Sequence, residues 1–221
     1  MIIDELLAHQ VITKRQPHSH KGTYGRVLLI GGFYPYGGAI IMSALATVKS
    51  GAGLVTVATE CDNIAALHSH LPEAMAFDCD DKELFYENLT KADVVLIGPG
   101  LGENSKAEVV FQMVLEHISE HQILIIDGSA LNLLAKAKPI TVKTNHLILT
   151  PHQKEWERLS GIAISNQTIE NTKAALQEFP EQTVLVAKSH QTKIIQGNQV
   201  GELTVGGPYQ ATGGMEIRFV A

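Results

Sequence analysis

Short apolar runs alternate with longer segments of helical character through most of the chain. Residues 26–30 (RVLLI) are a continuous apolar run closed by Gly31-Gly32, the pattern of a strand buried on both faces. A turn follows at Tyr34-Pro35-Tyr36-Gly37-Gly38. Residues 39–50 (AIIMSALATVKS) have helical length and small residues on one side, which suits close packing on a sheet. Gly51-Ala52-Gly53 ends that segment, and residues 54–58 (LVTVA) make the next run. Strand, helix, strand in this order is the parallel α/β unit.

The alternation predicts further helices over 62–70, 81–89, 105–118, 129–136, 153–160 and 167–178. It predicts strands over 73–77, 92–97, 123–126, 146–149 and 183–187, and a hairpin of 192–195 with 202–205 around Gly197-Asn198. Residues 2–9 read as a short amphipathic start and 14–25 as a polar surface loop. No linker, repeat or low-complexity segment intervenes, so residues 1–221 read as one α/β domain on a mostly parallel sheet. In such sheets ligands bind beyond the carboxyl ends of the strands. Gly98 to Gly102, Asp127, His152 and Lys188 all follow apolar runs and are expected along one edge.

Composition narrows the function. The 221 residues are 45% hydrophobic, enough for a sizeable core, and the formal net charge of −6 argues against nucleic-acid or membrane-surface binding. Aromatic residues, at 5%, are too few for base-stacking platforms. No apolar stretch has the length of a membrane span. Cys61 and Cys79 form no Cys-x-x-Cys pair and no signal peptide is evident, so they read as reduced thiols in a cytoplasmic protein.

Two phosphate-binding fingerprints fail. There is no Gly-x-x-x-x-Gly-Lys-[Ser/Thr], and Gly100-Leu101-Gly102-Glu103-Asn104-Ser105 lacks the third glycine of Gly-x-Gly-x-x-Gly. Other signals survive. Gly98-Pro99-Gly100-Leu101-Gly102 allows close backbone approach before a helix start, with Asn104 or Ser105 as its cap. Asp127, at a strand end, is suited to a metal-linked phosphate or to capping the next helix. His152 and Glu155, three apart, can face one pocket. Lys188 follows a buried run, where a lysine is costly unless it faces an anion. His18, His20, His68, His70, His117 and His121 read as surface residues. Near the end, the glycine-rich stretch 206–214 follows a strand-like run as a phosphate loop would.

Together these segments resemble the nucleotide-dependent NAD(P)H-hydrate dehydratases of the ribokinase-like superfamily. The resemblance rests on Lys21-Gly22-Thr23-Tyr24-Gly25, Gly31-Gly32, Tyr36-Gly37-Gly38-Ala39, Ser50-Gly51-Ala52-Gly53-Leu54-Val55-Thr56 and Pro72-Glu73. It continues through Gly98 to Gly102, Asp127-Gly128-Ser129-Ala130-Leu131-Asn132, Thr150-Pro151-His152, Glu155, Lys188, Thr192 and Ala211-Thr212-Gly213-Gly214. It implies a three-layer αβα fold and a repair activity. Hydrated NADH or NADPH carries a hydroxyl on its nicotinamide ring; the family phosphorylates it, with ADP in bacterial-type members, and loss of phosphate restores NAD(P)H. By the same resemblance Ala39, Gly102 and His152 would contact the hydrate. Lys188, Ser189, His190, Gln191, Thr192, Gly213 and Gly214 would hold the ADP or ATP, and Asp127 and Glu155 would serve Mg²⁺. A homotetramer or another homo-oligomer is implied.

The chain departs from the family at one point. The family pattern continues Ala-Thr-Gly-Gly-x-Gly-Asp into a helix, and its Gly-Asp supplies an anion hole and the general base. Here Glu216 and Ile217 stand at those positions, and the sequence stops at Ala221, short of the family's last helices. Gly-Asp-Thr becomes Glu-Ile-Arg if one G is lost from GGA GAT ACG, so a reading-frame shift near Met215 is expected. Ser189 also stands in place of a glycine. Two other readings share the fold: a kinase of a small alcohol such as a vitamin precursor, and a nucleotide-binding protein without turnover.

Overall fold

The computed structural model describes residues 1–137 and 140–203. The Gly206–Gly214 loop, with Gly213 and Gly214, Glu216 and Ile217, and the expected loss of the final helices, lies outside the described residues.

The apolar runs become strands of one sheet. In chain order they are β1 (Ile2–Ile3), β2 (Arg26–Ile30), β3 (Leu54–Thr59), β4 (Met75–Asp78), β5 (Val94–Ile97), β6 (Ile123–Ile126), β7 (His146–Leu149), β8 (Val184–Ala187), β9 (Lys193–Gln196) and β10 (Gln199–Leu203). Their order across the sheet is β1-β10-β9-β8-β7-β6-β5-β2-β3-β4. Pairing is parallel except where β9 meets β8 and β10. Between the strands lie α1 (Glu5–Val11), α2 (Gly37–Lys49), α3 (Cys61–His70), α4 (Lys82–Lys91), α5 (Ser105–His117), α6 (Ser129–Lys136), α7 (Gln153–Ser160) and α8 (Ile169–Leu176).

Successive strand residues point to opposite faces, and the core divides accordingly. Leu28 and Ile30 of β2 join Phe85 of α4, Phe111 and Val114 of α5, Leu131 and Leu134 of α6 and Trp156 of α7. Leu29 faces the other way, with Val55, Val57 and Leu96, onto Ile40 and Ala44 of α2 and Leu67 of α3. Helices on both faces of a mostly parallel sheet make the expected three-layer αβα arrangement.

Caps fix where several helices begin. The Asp81 carboxylate accepts from Leu84 N at 3.0 Å and the Asn104 side chain from Ala107 N at 2.9 Å, each satisfying a first-turn N–H. Asn104, not Ser105, is therefore the cap of α5.

The ends of the chain differ from the sequence expectation. The hairpin turn is Gly197-Asn198 as expected, with Gly197 at φ +53°, the left-handed value that a tight two-residue turn needs. Its second strand, however, begins at Gln199 directly after the turn, so Gln199 opposes Gln196. Ile2 and Ile3 add a parallel edge strand along Glu202 and Leu203. The amphipathic start does not bury its apolar side among the described residues: α1 has no buried residue and Leu6 is exposed. The polar loop contains a 3₁₀ turn at Lys21–Tyr24, and Arg15 lies over the Tyr24 ring at 4.1 Å.

Candidate active site

β5, β6, β7 and β8 are sheet neighbours and all run the same way. Their carboxyl ends therefore deliver Gly98, Asp127, Thr150 to His152, and Lys188 to one rim. Backbone contact sets the spacing. A Cβ on Gly98, whose φ is +129°, would lie 1.7 Å from the carbonyl oxygen of Asp127. Only glycine lets these two strand ends meet.

At the centre of the rim Lys188 Nζ donates to Asp127 Oδ1 at 2.8 Å, and the Thr150 hydroxyl donates to the same oxygen at 2.7 Å. All three side chains are buried. The anion that Lys188 requires is thus Asp127. Asp127 does not cap α6: the cap position is Gly128, and no side chain caps that helix. The backbone joins the same groups, since Lys188 N donates to Pro151 O at 2.9 Å and His152 pairs with Lys188 in a short parallel bridge.

His152 and Glu155 form a reciprocal cap on α7. His152 Nδ1 accepts from Lys154 N at 3.0 Å, and the Glu155 carboxylate accepts from His152 N at 2.8 Å. His152 Nε2 lies 3.5 Å from the second Glu155 oxygen. This is the capping-box pattern with histidine in the place usually held by serine or threonine. Both side chains do face one spot, held there by the helix start itself.

The magnesium expectation meets this geometry directly. Asp127 is engaged by a buried cation, and Glu155 by a backbone N–H and its histidine. Among the described residues no three His, Cys, Asp or Glu side chains assemble into a metal-holding group. Asp127 and Glu155 as placed do not fit a direct ligand pair for Mg²⁺, because the lysine already neutralises the one carboxylate.

The remaining candidates flank this centre. Gly102 N donates to Ser129 Oγ at 3.0 Å, tying the loop after β5 to the start of α6. Gly102 itself borders open space. Ala39, in the first turn of α2, lies close to Gly100: a Cβ added there would be 3.1 Å from that of Ala39. Ala39, Gly102 and His152 thus belong to loops or helix starts at strand ends. Ser189, His190, Gln191 and Thr192 form the tight connection from β8 to β9, closed by Thr192 Oγ1 donating to Ser189 O at 3.1 Å. With Lys188, the first three line a cavity of about 190 Å³ that Trp156 also lines. Thr192 is buried. His18, His20, His68, His70, His117 and His121 are exposed, as expected for surface residues.

Two features were not foreseen. Thr150 supplies the third arm of the Asp127 centre. A polar chain also joins three elements: Asn132 Nδ2 donates to Glu103 at 2.8 Å, Lys136 Nζ to Glu103 at 2.7 Å, and Arg158 to Asn132 at 3.0 Å. The lysine hydrogen bond, more than its slight burial opposes, holds the Glu103 carboxyl below the usual carboxylate range, with help from Asn132.

A three-layer fold with its polar centre at the carboxyl ends of adjacent parallel strands is an open α/β architecture, and its structural neighbours are of the ribokinase-like class. A solved ribokinase-like superfamily protein from Enterococcus faecalis superposes with a TM-score of 0.95 at 40% identity, over 99% of this chain and 76% of that one. The chain belongs to the NAD(P)H-hydrate dehydratase family, whose model matches residues 27–216. It is 62% identical over 215 residues to the ADP-dependent (S)-NAD(P)H-hydrate dehydratase of Streptococcus thermophilus, spanning 97% of this chain and 77% of that protein. The ADP/ATP-dependent enzyme of that name from Bacillus subtilis, co-crystallised with ATP and Mg²⁺, matches with a TM-score of 0.78 at 26% identity, over 95% of this chain and 74% of its own. Among the described residues no helix is long and apolar enough to cross a membrane.

Proposed function

We propose that this chain repairs hydrated NADH or NADPH at the expense of ADP, with ATP as a second donor. A phosphoryl group passes from the nucleotide to the ring hydroxyl, leaving AMP when ADP is the donor. The carbon–oxygen bond of the new ester then breaks, phosphate departs, and the neighbouring ring carbon gives up a proton as the double bond returns. The observation that carries this reading is the rim of four parallel strand ends that brings Gly98, Asp127, His152 and Lys188 together. The 62% identity to a protein of that named activity supports it.

In this reading the hydrate lies against Ala39, Gly102 and His152, and the donor nucleotide against Lys188 to Thr192 with Gly213 and Gly214. Phosphoryl transfer is mostly a matter of position and charge. The rim is tied together by backbone contacts and a buried ion pair, which suits that demand. Mg²⁺, when present, would add charge neutralisation at the phosphates; Asp127 and Glu155 as arranged would act at a distance from it. No described residue is assigned as the base. We place the protein in the cytoplasm as a homo-oligomer.

The test is direct. Purified protein is mixed with NADPH hydrate, ADP and Mg²⁺, and the near-ultraviolet absorbance of reduced nicotinamide is followed while AMP and phosphate are counted. One AMP and one phosphate per NADPH restored is the expected result. Phosphorylation of thiazole or pyrimidine alcohols, with no restored NADPH, would replace this reading with the small-alcohol kinase.

A further inference from the structure

The connection from β2 to α2 is moored on two sides. Toward the rim it hangs on the loop after β5: Gly32 N donates to Pro99 O at 2.9 Å and Phe33 N to Gly100 O at 2.7 Å. Its other moorings come from α3, which follows β3, two strands away from β5. Glu60 immediately precedes α3 and Asn63 lies in its first turn. Asn63 Nδ2 donates to Gly37 O at 3.2 Å, Gly32 O at 3.4 Å and Thr59 Oγ1 at 3.1 Å. Tyr34 N donates to Glu60 Oε2 at 2.7 Å. Lys106 Nζ stands 3.7 Å from the other Glu60 oxygen and 2.9 Å from Asp80.

Gly37 is fitted to this asparagine. It opens α2, where glycine is a poor helix former, and it lacks a positive φ. A Cβ there would lie 2.5 Å from Asn63 Oδ1, and its three nearest atoms would all belong to the Asn63 side chain. The amide thus takes the place of a side chain at position 37. Its nitrogen has two hydrogens, and three acceptors already surround them, so none is left for a ligand. Asn63 is only half-buried. Water can therefore replace its bonds to the two carbonyls, and its removal costs little stability. What is lost is position. Ala39 follows Gly37 by two residues, and Ala39 N donates to Tyr36 O at 3.1 Å.

Resting on the function proposed above, we infer that Asn63, with Glu60, is a positioning residue for the hydrate. From α3 the two side chains fix the start of α2, and Ala39 with it, against the loop after β5, without touching the ligand. A binding group is only as well placed as the side chains that hold it.

Titration calorimetry of the purified chain with NADPH hydrate, and separately with ADP, tests this, because it reads binding without turnover. Asn63→Asp keeps the shape and removes the donor; Glu60→Ala removes the acceptor for Tyr34 N. Each is expected to weaken hydrate binding about tenfold, with ADP affinity and the thermal unfolding midpoint close to wild type. Glu60→Gln, which keeps an acceptor, restores wild-type hydrate affinity. Gly37→Ala, pressed against Asn63, loses hydrate affinity, and in combination with Asn63→Ala loses no more than Asn63→Ala alone. Amide hydrogen exchange at Phe33, Tyr34, Tyr36 and Ala39 quickens in Asn63→Asp and Glu60→Ala. If Asn63→Asp does not fold, Glu60→Ala carries the same test. Wild-type hydrate affinity in the folded variants overturns this inference and leaves the proposed function standing. Equal weakening of hydrate and ADP also overturns it, since that is the mark of a general structural role. Lost hydrate affinity with unchanged exchange overturns it too, because the side chain would then be touching the hydrate itself. A wild-type chain that binds ADP but not the hydrate overturns the proposed function and this inference with it.

Discussion

Lys188 Nζ lies 2.8 Å from Asp127 Oδ1, with the two side chains 6% and 4% exposed. They come from the ends of β8 and β6, and Thr150 at the end of β7, between them, donates to the same carboxylate oxygen. Three strand ends are therefore joined through one atom. A buried pair of this kind is weak evidence of net stabilisation, but removing one partner leaves a charge stranded in the interior.

Lys188→Met is expected to cost about 3–5 kcal/mol, because it leaves the Asp127 carboxylate without its cation. The double variant Lys188→Met with Asp127→Leu should recover much of that loss. Urea denaturation of the wild type, both single variants and the double variant measures the coupling. Additive single effects would mean that the two side chains do not act as a pair. Nucleotide affinity read on the same proteins tells whether Lys188 has a second role; if ADP binding survives in the folded double variant, Lys188 is a structural residue of the rim.

The reciprocal cap at α7 makes a smaller prediction. Glu155→Ala removes the acceptor for His152 N and should cost about 1 kcal/mol. Glu155→Gln keeps an acceptor of the same reach and should cost only a fraction of that, since glutamine also serves in capping boxes. Denaturant midpoints distinguish them. Equal losses in the two variants would show that the charge of Glu155 matters more than its hydrogen bond.

Much of this arrangement was legible because strands buried on both faces read as plain apolar runs. RVLLI, LVTVA and ILII became β2, β3 and β6 close to the expected bounds. The residues that close those runs were correctly placed at one rim, because parallel neighbours must end on the same side. Pairing was not legible. Asp127 and Lys188 are 61 positions apart, and nothing local to either says that each is the other's partner. The sequence suggests a metal for Asp127 and a phosphate for Lys188, and neither suggestion carries any sign that the two side chains also meet each other. β1 is two residues long and finds β10 at the far end of the chain, so no periodicity could announce it. The start of β10 was missed because Gln199 is polar on an exposed edge and carries no strand signal. His152 as a helix cap was hidden by its residue type, since serine, threonine and aspartate hold that position far more often.

Glu103 predicts a limited acid sensitivity. Its folded pKa is depressed, chiefly by the hydrogen bond from Lys136, so its contribution is present above the ordinary carboxylate range and is lost as pH falls through the lowered value. Both partners are substantially exposed, so the effect is small and salt-screened. Glu103→Gln should flatten the acid limb of a stability-against-pH curve slightly, and high salt should erase the difference between variant and wild type. A difference that persists in high salt would mean that the Glu103, Asn132 and Arg158 chain acts through packing, not charge.

The two cysteines should differ sharply in reactivity. Burial pushes the Cys79 thiol up to about 12; Asp80, Asp78 and Glu60 add to the shift and Lys106 opposes it. The thiolate is the reactive form, so Cys79 stays inert at neutral and mildly alkaline pH. Cys61, the first residue of α3, is exposed. Brief iodoacetamide treatment of the native protein should give one adduct, on Cys61, with Cys79 modified only after denaturation; peptide mass spectrometry reads this. The same shift carries a stability consequence. The Cys79 proton is held more tightly in the folded chain, so the contribution is complete below the ordinary thiol value of 9.0 and declines as pH rises toward about 12. Cys79→Ala should therefore lose less stability than wild type on that alkaline climb, even though it begins lower through the small cavity it opens. Native-state alkylation of Cys79 at a rate near that of Cys61 would mean that α4 and the strand ends beside it open far more often than their packing allows.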